Sequence, residues 1–339
     1  GPRGERRRGA RRVPVSMPIP SALSSQELLQ RLLDGDRVAL ARAISWVENE
    51  HAESTALLDA CFARAGRAYR LGITGPPGAG KSTLVTKLAA EYRARGMTVA
   101  IVAVDPTSPF SGGALLGDRV RMNELAGDDG VFIRSMATRG SMGGLAVHTS
   151  QACDVLDAAG FDRVLIETVG VGQSELEVAQ TADTTAVVLV PESGDAVQAM
   201  KAGLMEIADI FVMNKSDREG ADRAAQAIRS ALHLRAQTSD WSIPVHMTVA
   251  SRAQGVSELV ELFEKHLAWL GQSGTLDRRR RVRLEQRLEA LVREQLWARF
   301  RADAPEGAWA QALAALADRR ETPNGLAERL LAERGAAGR

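Results

Sequence analysis

The chain has 339 residues, of which 45% are hydrophobic and 25% are charged, a balance typical of folded globular proteins rather than of disordered chains. Its 43 basic and 42 acidic residues give a formal net charge of +1, so no overall field attracts nucleic acid or an anionic membrane. No apolar run approaches the roughly 20 residues that a membrane-spanning helix needs. We therefore expect no nucleic-acid partner and no membrane partner.

Residues 1–22 are rich in arginine near their start and include Met17. They lack the apolar core of a secretory signal, so we interpret them as a disordered basic tail or as sequence foreign to the native protein, with a mitochondrial transit remnant as the alternative. Cys61 and Cys153 lie far apart and outside any Cys-x-x-Cys pair, which favours two buried thiols in a reducing compartment. These features predict a cytoplasmic protein.

Residues 23–69 are predicted to form an N-terminal helical extension. Ser24 stands three residues ahead of Glu27, the reciprocal arrangement that caps the start of a helix. Leucines at helical spacing follow, and two more apolar stripes with the same period continue as far as Phe62. The pattern predicts three helices.

From 70 to 272 the pattern changes to short apolar runs separated by helical stretches, which is typical of strands buried on both faces of a parallel sheet. The six strand candidates read RLGIT, TVAIVAVD, DRVLIET, TAVVLVP, DIFVMNK and PVHMTVA. The alternation predicts an α/β fold of three layers, doubly wound around a mostly parallel sheet. Ligands of such a sheet lie beyond the carboxyl ends of its strands.

The run GITGPPGAGKSTL includes the end of the first strand candidate and has the spacing of a phosphate-binding loop. Glycines let the backbone wrap closely, so that its N–H groups and the positive end of the next helix face the phosphates. Lys81 is expected to reach the β- and γ-phosphates, and Ser82 to bind Mg²⁺. The predicted phosphate-binding residues are Gly75, Gly78, Ala79, Gly80, Lys81, Ser82 and Thr83.

Carboxylates near two other strands are candidate Mg²⁺ ligands, because this hard cation prefers oxygen. Asp105 ends the second strand candidate, and Glu167 stands where nucleotide switches usually carry aspartate. Asp118 is a third candidate, although pairing with a neighbouring arginine explains it nearly as well. The backbone N–H of Gly170, three residues after Glu167, can sense the γ-phosphate. The predicted metal ligands are Ser82, Asp105, Asp118 and Glu167, and the predicted catalytic residues are Lys81, Asp105, Glu167 and Gly170.

The sequence VMNKSD contains Asn214, Lys215 and Asp217 in the Asn-Lys-x-Asp spacing of guanine-binding proteins. Asp217 is expected to accept hydrogen bonds from N1 and N2 of guanine, which adenine cannot donate, so the motif selects GTP over ATP. After the last strand candidate, Val249 and Ala250 stand in place of the usual Ser-Ala-Lys element. The Ala250 N–H can meet guanine O6, but the usual side-chain support is missing.

The attacking water lacks an obvious partner in this sequence. Ras-like enzymes orient it with a glutamine directly after the sensing glycine. Val171 occupies that position here, and the nearest glutamine is Gln173. We therefore predict GTP hydrolysis that is slow alone and stimulated by a partner.

Residues 273–339 are predicted to form a C-terminal helical region. Between 277 and 301 leucines recur near one stripe, which needs either the core or a second copy of the chain as its partner. Arg278 to Arg281 resemble a phosphate or nucleic-acid patch, but acidic residues follow them. We interpret this run as a solvated helix face with charge pairs between adjacent turns.

With these motifs assembled, the chain resembles the MeaB/ArgK family, the GTPase chaperones of adenosylcobalamin-dependent methylmalonyl-CoA mutase. The resemblance runs from about 72 to 217 and is carried by GITGPPGAGKSTL, VDPTSPFSGGALLGDRVRM, MATRG, IETVGVGQSE and SGDAVQAMKAGLMEIADIFVMNK. It implies the SRP/MinD-type branch of P-loop GTPases, with Asp105, Asp118 and Glu167 around Mg²⁺. It also implies a homodimer formed partly by the C-terminal helices, and a mobile segment at 193–203 that relays the nucleotide state.

The resemblance implies a GTPase that gates delivery of adenosylcobalamin to methylmalonyl-CoA mutase and protects or reactivates that enzyme. No histidine lies in an Asp-x-His-x-x-Gly sequence, so we expect the partner to carry the corrinoid. The alternatives are a chaperone of isobutyryl-CoA mutase and a metabolic kinase or transport-linked ATPase of the ArgK type. A nickel-insertion GTPase is disfavoured because the chain lacks a histidine-rich or cysteine metal site.

Overall fold

The computed structural model describes residues 23–105, 125, 127–137, 144–168, 174–191, 203–234, 240–302 and 307–337, without the side chains of residues 105, 137, 144–146, 174, 175 and 333–337. The chain divides into two compact units, one ending at Glu285 and one beginning at Gln286.

Secondary structure in the described residues comprises seven strands, twelve α-helices and one short 3₁₀ turn. The strands are β1 (Tyr69–Thr74), β2 (Val99–Asp105), β3 (Val131–Ala137), β4 (Arg163–Thr168), β5 (Thr184–Leu189), β6 (Ile210–Met213) and β7 (Val245–Met247). The helices are α1 (Ser25–Leu33), α2 (Arg37–Glu48), α3 (Ser54–Phe62), α4 (Lys81–Ala94), α5 (Gly144–Ala158), α6 (Ser174–Thr181), α7 (Leu204–Ile207), α8 (Ala221–Leu234), α9 (Val256–Gln272), α10 (Thr275–Ala302), α11 (Ala308–Ala317) and α12 (Pro323–Ala337). The 3₁₀ turn is Ala250–Arg252.

The strands form one sheet in the order β3-β2-β4-β1-β5-β6-β7, and every neighbouring pair is parallel. The predicted α/β fold with a parallel sheet is therefore confirmed. Strand β1 lies between β4 and β5, so the loop that follows it emerges near the middle of the sheet. In such a sheet this is where a ligand is expected.

Alternate strand residues point to opposite faces and build the layers of the fold. On one face, Ile73 of β1 packs in a core with α4 and α9. On the other face, Val164 and Ile166 of β4 pack with α1, α2, α3 and α5. A smaller cluster on that side joins Phe211 of β6 to α7 and α8. Helices thus cover both faces of the sheet.

Strand β3 is not among the strands predicted from the sequence. Arg134 and Ser135 interrupt its apolar residues, so it does not show the continuous apolar run of the other strands. The structure satisfies the polar group from outside the strand, since the Arg134 guanidinium donates to Ser45 Oγ at 3.1 Å and pairs with Glu48 of α2. The N-terminal helices therefore stabilise this edge of the sheet.

The N-terminal extension contains three helices, as predicted. The capping box at its start is present, because Glu27 N donates to Ser24 Oγ at 3.2 Å and Ser24 N donates to Glu27 Oε2 at 3.0 Å. Arg37 of α2 donates to the backbone oxygens of Asp129 and Val131 at 3.0 and 2.5 Å. These bonds attach the extension to the start of β3.

The arginine run at the start of α10 is not the solvated helix face that we predicted. Arg279 donates to both carboxylate oxygens of Asp209, at 2.8 and 3.0 Å, and Arg280 pairs with Asp183 at 2.8 Å. Arg283 pairs with the same Asp183 at 2.5 Å. The interpretation fails because the partners lie 70 and 97 residues away in sequence, beyond the reach of a helical charge pattern.

The unit that begins at Gln286 comprises the rest of α10 with α11 and α12. Trp297 stacks on Phe300 with ring centroids 5.6 Å apart, and Trp309 of α11 meets it edge-on at 5.5 Å. Arg301 lies over the Trp309 ring at 4.5 Å. Among the described residues, no helix has the length and apolarity to cross a bilayer.

Candidate nucleotide-binding site

The candidate site lies at the carboxyl ends of β1, β4 and β6. The phosphate-binding loop follows β1, Glu167 is near the end of β4, and Asn214 follows β6 directly. Ile73 stands beside Glu167 in the parallel register of β1 and β4, which brings the loop and the carboxylate together. Parallel pairing alone therefore assembles residues that are far apart in sequence.

Two glycines of the phosphate-binding loop occupy positions that a larger residue cannot take. Gly75 has φ +136°, and a Cβ there would stand 2.1 Å from the backbone oxygen of Val188 on β5. Gly80 has φ +87°, and its Cβ would stand 2.5 Å from Asn214 Nδ2. The loop thus packs directly on the neighbouring strand and on the Asn-Lys-x-Asp motif, as expected of a backbone that wraps an anion.

Helix α4 presents a bare N-terminus to this loop. No side chain among the described residues caps it, and its first turn holds no acidic residue. The first N–H groups of a helix have no partner within the helix, and the macrodipole adds a positive partial charge there. Thr83 in the first turn is exposed, and the start of α4 suits a phosphate group.

The Lys81 side chain is buried and folds back over the loop. Its Nζ donates to the backbone oxygens of Gly75 at 2.7 Å and Pro76 at 3.0 Å. Because a lysine ammonium has three donors in flexible positions, these bonds hold the charge at the mouth of the loop. Lys81 therefore places a cation in the phosphate-binding loop, and its predicted contact with the β- and γ-phosphates stays a prediction.

Ser82 and Glu167 fit the predicted magnesium site. Ser82 Oγ donates to Glu167 Oε1 at 2.5 Å, and the Glu167 side chain is almost fully buried. A hydroxyl and a carboxylate oxygen are hard donors of the kind that Mg²⁺ takes beside nucleotide phosphates. Among the described residues, no group of three or more His, Cys, Asp or Glu is arranged to hold a metal ion.

Three other predicted residues lie wholly or partly outside the description. Asp105 ends β2, where its backbone stands beside Ala137 of β3, but its side chain is not among those described. Asp118 and Gly170 lie outside the described residues, as does Val171. Their predicted roles at the metal and the γ-phosphate stay predictions.

Asn214 joins the phosphate-binding loop to the loops expected to hold the base. Its Nδ2 donates to the backbone oxygen of Ala79 at 2.8 Å. Its Oδ1 accepts from Thr248 Oγ1 and from Ala250 N, both at 3.1 Å. The side chain is buried, so all three bonds are shielded from water. Thr248 is a part of this arrangement that the sequence analysis missed.

One residue of the Asn-Lys-x-Asp motif has an unusual backbone conformation. Lys215 has a positive φ of 55°, in the left-handed region that non-glycine residues seldom occupy. Val249 and Ala250 are buried. Because the Ala250 N–H donates to Asn214, its predicted contact with guanine O6 requires this bond to be shared or exchanged.

Asp217 pairs with a residue that the sequence analysis did not select. Its Oδ2 lies 2.8 Å from an Nη atom of Arg252, and each side chain is about half exposed, 45% and 56% respectively. The signal was the arginine two residues after Ala250, close to where the usual element carries lysine. A one-dimensional motif does not show which neighbour reaches the carboxylate.

A family model described as "Methylmalonyl Co-A mutase-associated GTPase MeaB" matches residues 40–305 of the chain. This range includes the helical extension from α2 onward, the whole sheet and α10. It contains every residue assigned to the candidate site. The match therefore agrees with the family that the motifs indicate.

Individual relatives cover most of the chain. A putative GTPase of Pyrococcus abyssi is 46% identical over 310 residues, which are 91% of this chain and 96% of the relative. The mitochondrial methylmalonic aciduria type A homolog of Caenorhabditis elegans is 35% identical over 294 residues, 81% of this chain and 74% of the relative. A crystal structure described as LAO/AO transport system kinase has a TM-score of 0.71 and 31% identity, covering 93% of this chain and 98% of that one.

Proposed function

The chain belongs to the MeaB family of methylmalonyl-CoA mutase-associated GTPases, and from that premise we propose that it hydrolyses GTP to control adenosylcobalamin loading on methylmalonyl-CoA mutase. In this role it gates delivery of the cofactor and protects or reactivates the mutase. The corrinoid belongs to the partner, and GTP with Mg²⁺ belongs to this chain.

The observation that carries the proposal is the bridge made by Asn214. It ties the phosphate-binding loop at Ala79 to Thr248 and Ala250, so one rigid group fixes the distance between the phosphate and base positions. Asp217 lies on the same loop as Asn214, where its carboxylate can accept from guanine N1 and N2. A ligand with adenine would leave that carboxylate without donors, which disfavours ATP.

The chemistry proposed for the site is positioning and charge stabilisation. Lys81 and the N-terminus of α4 stabilise the negative charge that develops on the transferred phosphoryl group. When bound, Mg²⁺ supplies further neutralisation of that charge, held by Ser82 and Glu167. With valine at position 171, no glutamine is available there to orient water, so turnover by the protein alone is slow.

We also propose that the protein acts as a homodimer. Helix α10 exposes several large apolar side chains that no described residue covers, including Leu288 at 64% and Leu296 at 59% exposure. A contiguous apolar face on a folded protein favours association. Because identical helices can present the same face to each other, a second copy of the chain is the proposed occupant.

The test is GTP hydrolysis by the purified protein, alone and with methylmalonyl-CoA mutase from the same source. We expect slow GTP turnover that rises when the mutase is added, and little ATP turnover. In the Lys81→Ala variant we expect loss of both the basal and the stimulated GTP turnover. An unchanged rate and no complex on a sizing column would contradict the choice of partner. Stimulation by isobutyryl-CoA mutase instead would identify the alternative client.

The ATP arm addresses the second candidate function. The similar crystal structure is described as a transport system kinase, which is the observation that favours a kinase or a transport-linked ATPase. A preference for ATP over GTP would support that candidate and contradict the role assigned to Asp217. Phosphate release must be measured with both nucleotides at equal concentration.

A further inference from the structure

The ion pair between Asp217 and Arg252 joins the guanine-reading motif to a second loop. Arg252 ends the 3₁₀ turn that follows β7, and Asp217 lies four residues after the end of β6. The two atoms are 2.8 Å apart, which is the length of a charge-assisted hydrogen bond. The partner of this carboxylate lies outside the motif. The fold brings the two residues together although they are 35 positions apart in sequence.

The backbone fixes both ends of this pair. Ser216 N donates to the oxygen of Thr248 at 3.0 Å, which ties the Asp217 loop to the segment after β7. Arg252 N donates to the oxygen of Val249 at 2.9 Å and closes the 3₁₀ turn. Ala253 then adopts a positive φ of 54°, and the chain turns back so that Gln254 pairs with Val249. These backbone hydrogen bonds, rather than bonds made by the two side chains, set the relative position of Asp217 and Arg252.

A carboxylate can serve an arginine and a guanine at the same time. Its two oxygens offer about four lone-pair sites, whereas guanine N1 and N2 together need two. Arg252 contacts one oxygen of Asp217, which leaves sites on both oxygens for the base. The ion pair therefore restricts the carboxylate without blocking it.

We propose that Arg252 is a positioning residue for guanine: it holds the Asp217 carboxylate in the orientation that meets both N1 and N2 of the base. It supplies the side-chain support that the sequence lacks at Val249. This inference deepens the proposed function, because it depends on Asp217 reading guanine.

Its contribution belongs to binding rather than to folding. A half-exposed ion pair contributes little to stability, since water screens it and the two side chains lose freedom when they pair. A bound base covers the pair and excludes water, which strengthens the same interaction. Removing Arg252 should therefore weaken nucleotide binding and leave the unfolding temperature almost unchanged.

The first experiment compares the dissociation constants of GDP and IDP for the wild type, Arg252→Gln and Arg252→Lys. We expect the Kd of GDP to rise about 3- to 10-fold in Arg252→Gln, less than the loss of a charge-assisted hydrogen bond to the base itself would cause. IDP lacks the 2-amino group, so its Kd should rise less. Arg252→Lys keeps the charge and should restore part of the affinity.

Arg281→Gln is the matched control. Arg281 is an exposed arginine of α10, next to arginines that bind at the amino ends of β5 and β6. The Arg281→Gln variant loses the same charge at the other end of the sheet and should leave the Kd values of GDP and IDP unchanged. A GDP Kd in Arg252→Gln that is equal to or lower than that of the wild type would overturn the proposal, the lower value indicating that Arg252 competes with guanine.

A double-mutant cycle tests whether Arg252 acts through Asp217. In the Asp217→Asn background the site is probed with XDP, because xanthine presents a carbonyl where guanine has an amino group and the new amide can donate to it. Adding Arg252→Gln there should change the Kd of XDP by less than about 1.5-fold, because no carboxylate remains to be held. An effect as large as in the Asp217 background would contradict positioning through this residue.

The outcomes separate this inference from the proposed function. If the wild type binds ADP as tightly as GDP, guanine specificity itself is wrong. If the wild type prefers GDP and Arg252→Gln behaves like it, only the role of Arg252 is wrong.

Discussion

The two ends of the same sheet handle charge in opposite ways. At the amino ends of the strands, buried aspartates meet arginines of α10 within the chain, and the pairs are complete. At the carboxyl ends, a bare helix N-terminus and Lys81 face a loop shaped for an anion, and Glu167 lies beside Ser82. At the amino ends the charges find their partners within the chain and stabilise the fold, whereas at the carboxyl ends we propose that they serve to bind a ligand.

The amino end is built around Asp183, which is fully buried before β5. Burial alone would raise the pKa of its carboxyl group, but the hydrogen bond from Arg280 and the charges of Arg283, Arg280 and Arg70 outweigh burial and lower the pKa. The carboxylate is therefore stable in its ionised form. It also accepts from Arg70 N at 3.1 Å, so it joins α10 to strand β1.

The largest expected effect is that of Asp183→Asn. Removing one partner of a buried ion pair leaves the arginines without compensation and costs about 3–5 kcal/mol in the free energy of unfolding. Urea unfolding followed by circular dichroism measures this cost. Asp277→Asn, an exposed aspartate in the first turn of α10, is the control and should cost under about 0.5 kcal/mol. Equal stability of the two variants would remove the distinction between the ends of the sheet.

The next effect is a loss of stability on acidification that involves His266. Burial lowers the pKa of this fully buried histidine to about 4, with Asp209 raising it and Arg279 lowering it to smaller extents. The unfolded chain binds a proton at about pH 6.5 and the folded chain does not, so stability falls as the pH falls from about 6.5 to 4. The contribution is on the order of 3 kcal/mol by pH 4.

Urea unfolding of the wild type and His266→Gln at pH 7, 6, 5 and 4 isolates this term. The variant should lose less stability than the wild type across this range. Asp183 acts in a lower window, because its lowered pKa gives stability that is present above about pH 3.8 and lost below it. Parallel curves for the two proteins between pH 6.5 and 4 would show that His266 is not buried in its neutral form.

At the carboxyl ends of the strands, replacing a buried carboxylate by an amide should change ligand binding rather than stability. Glu167→Gln replaces a buried carboxylate by an amide, and without Mg²⁺ it should leave the unfolding temperature equal or higher, because a buried charge is costly. The Mg²⁺ concentration needed for tight GTP binding should rise about tenfold or more, about 1.4 kcal/mol. A magnesium titration of fluorescent GTP analogue binding measures it. Strong destabilisation with unchanged magnesium dependence would make Glu167 a structural residue like Asp183.

The smallest effect is expected where a pair faces water. Arg293 and Glu289 pair one turn apart on α10 at 2.6 Å, with 78% and 59% of their side chains exposed. Such pairs contribute about 0.3–0.5 kcal/mol, so Glu289→Gln should change stability by no more than that. Thermal unfolding at low and high salt measures the difference. A loss comparable to that of Asp183→Asn would show that burial is not what distinguishes the amino end.

The parts of the fold that follow from local pattern could be predicted from the sequence. The apolar runs predicted the parallel sheet. Because ligands of such a sheet bind beyond the carboxyl ends of its strands, the phosphate-binding loop, Glu167 and Asn214 were expected at one edge. Each of these features is encoded within a few consecutive residues. The pairing of parallel strands then brings them together without further information.

The features that escaped depend on partners distant in sequence. Strand β3 contains Arg134, whose partners come from α2, so its pattern reads as a broken run. In the sequence, nothing distinguishes Arg280 from the neighbouring charged residues, and only the fold brings it to Asp183. Arg252 reaches Asp217 only because two loops are hydrogen-bonded to each other. Ion pairs between distant residues have no periodic pattern in the sequence, so these pairings could not be predicted from it.

A chain of buried hydrogen bonds at the amino end also provides a natural probe of the whole domain. Tyr69 Oη lies 2.5 Å from Thr184 Oγ1, which lies 2.7 Å from His266 Nδ1, and all three residues have no more than 1% exposure. With His266 neutral, its Nε2–H faces Asp209, Thr184 donates to Nδ1 and Tyr69 donates to Thr184. Since water reaches these hydroxyl protons only when the sheet opens, their exchange with solvent in NMR spectra reports the global unfolding free energy.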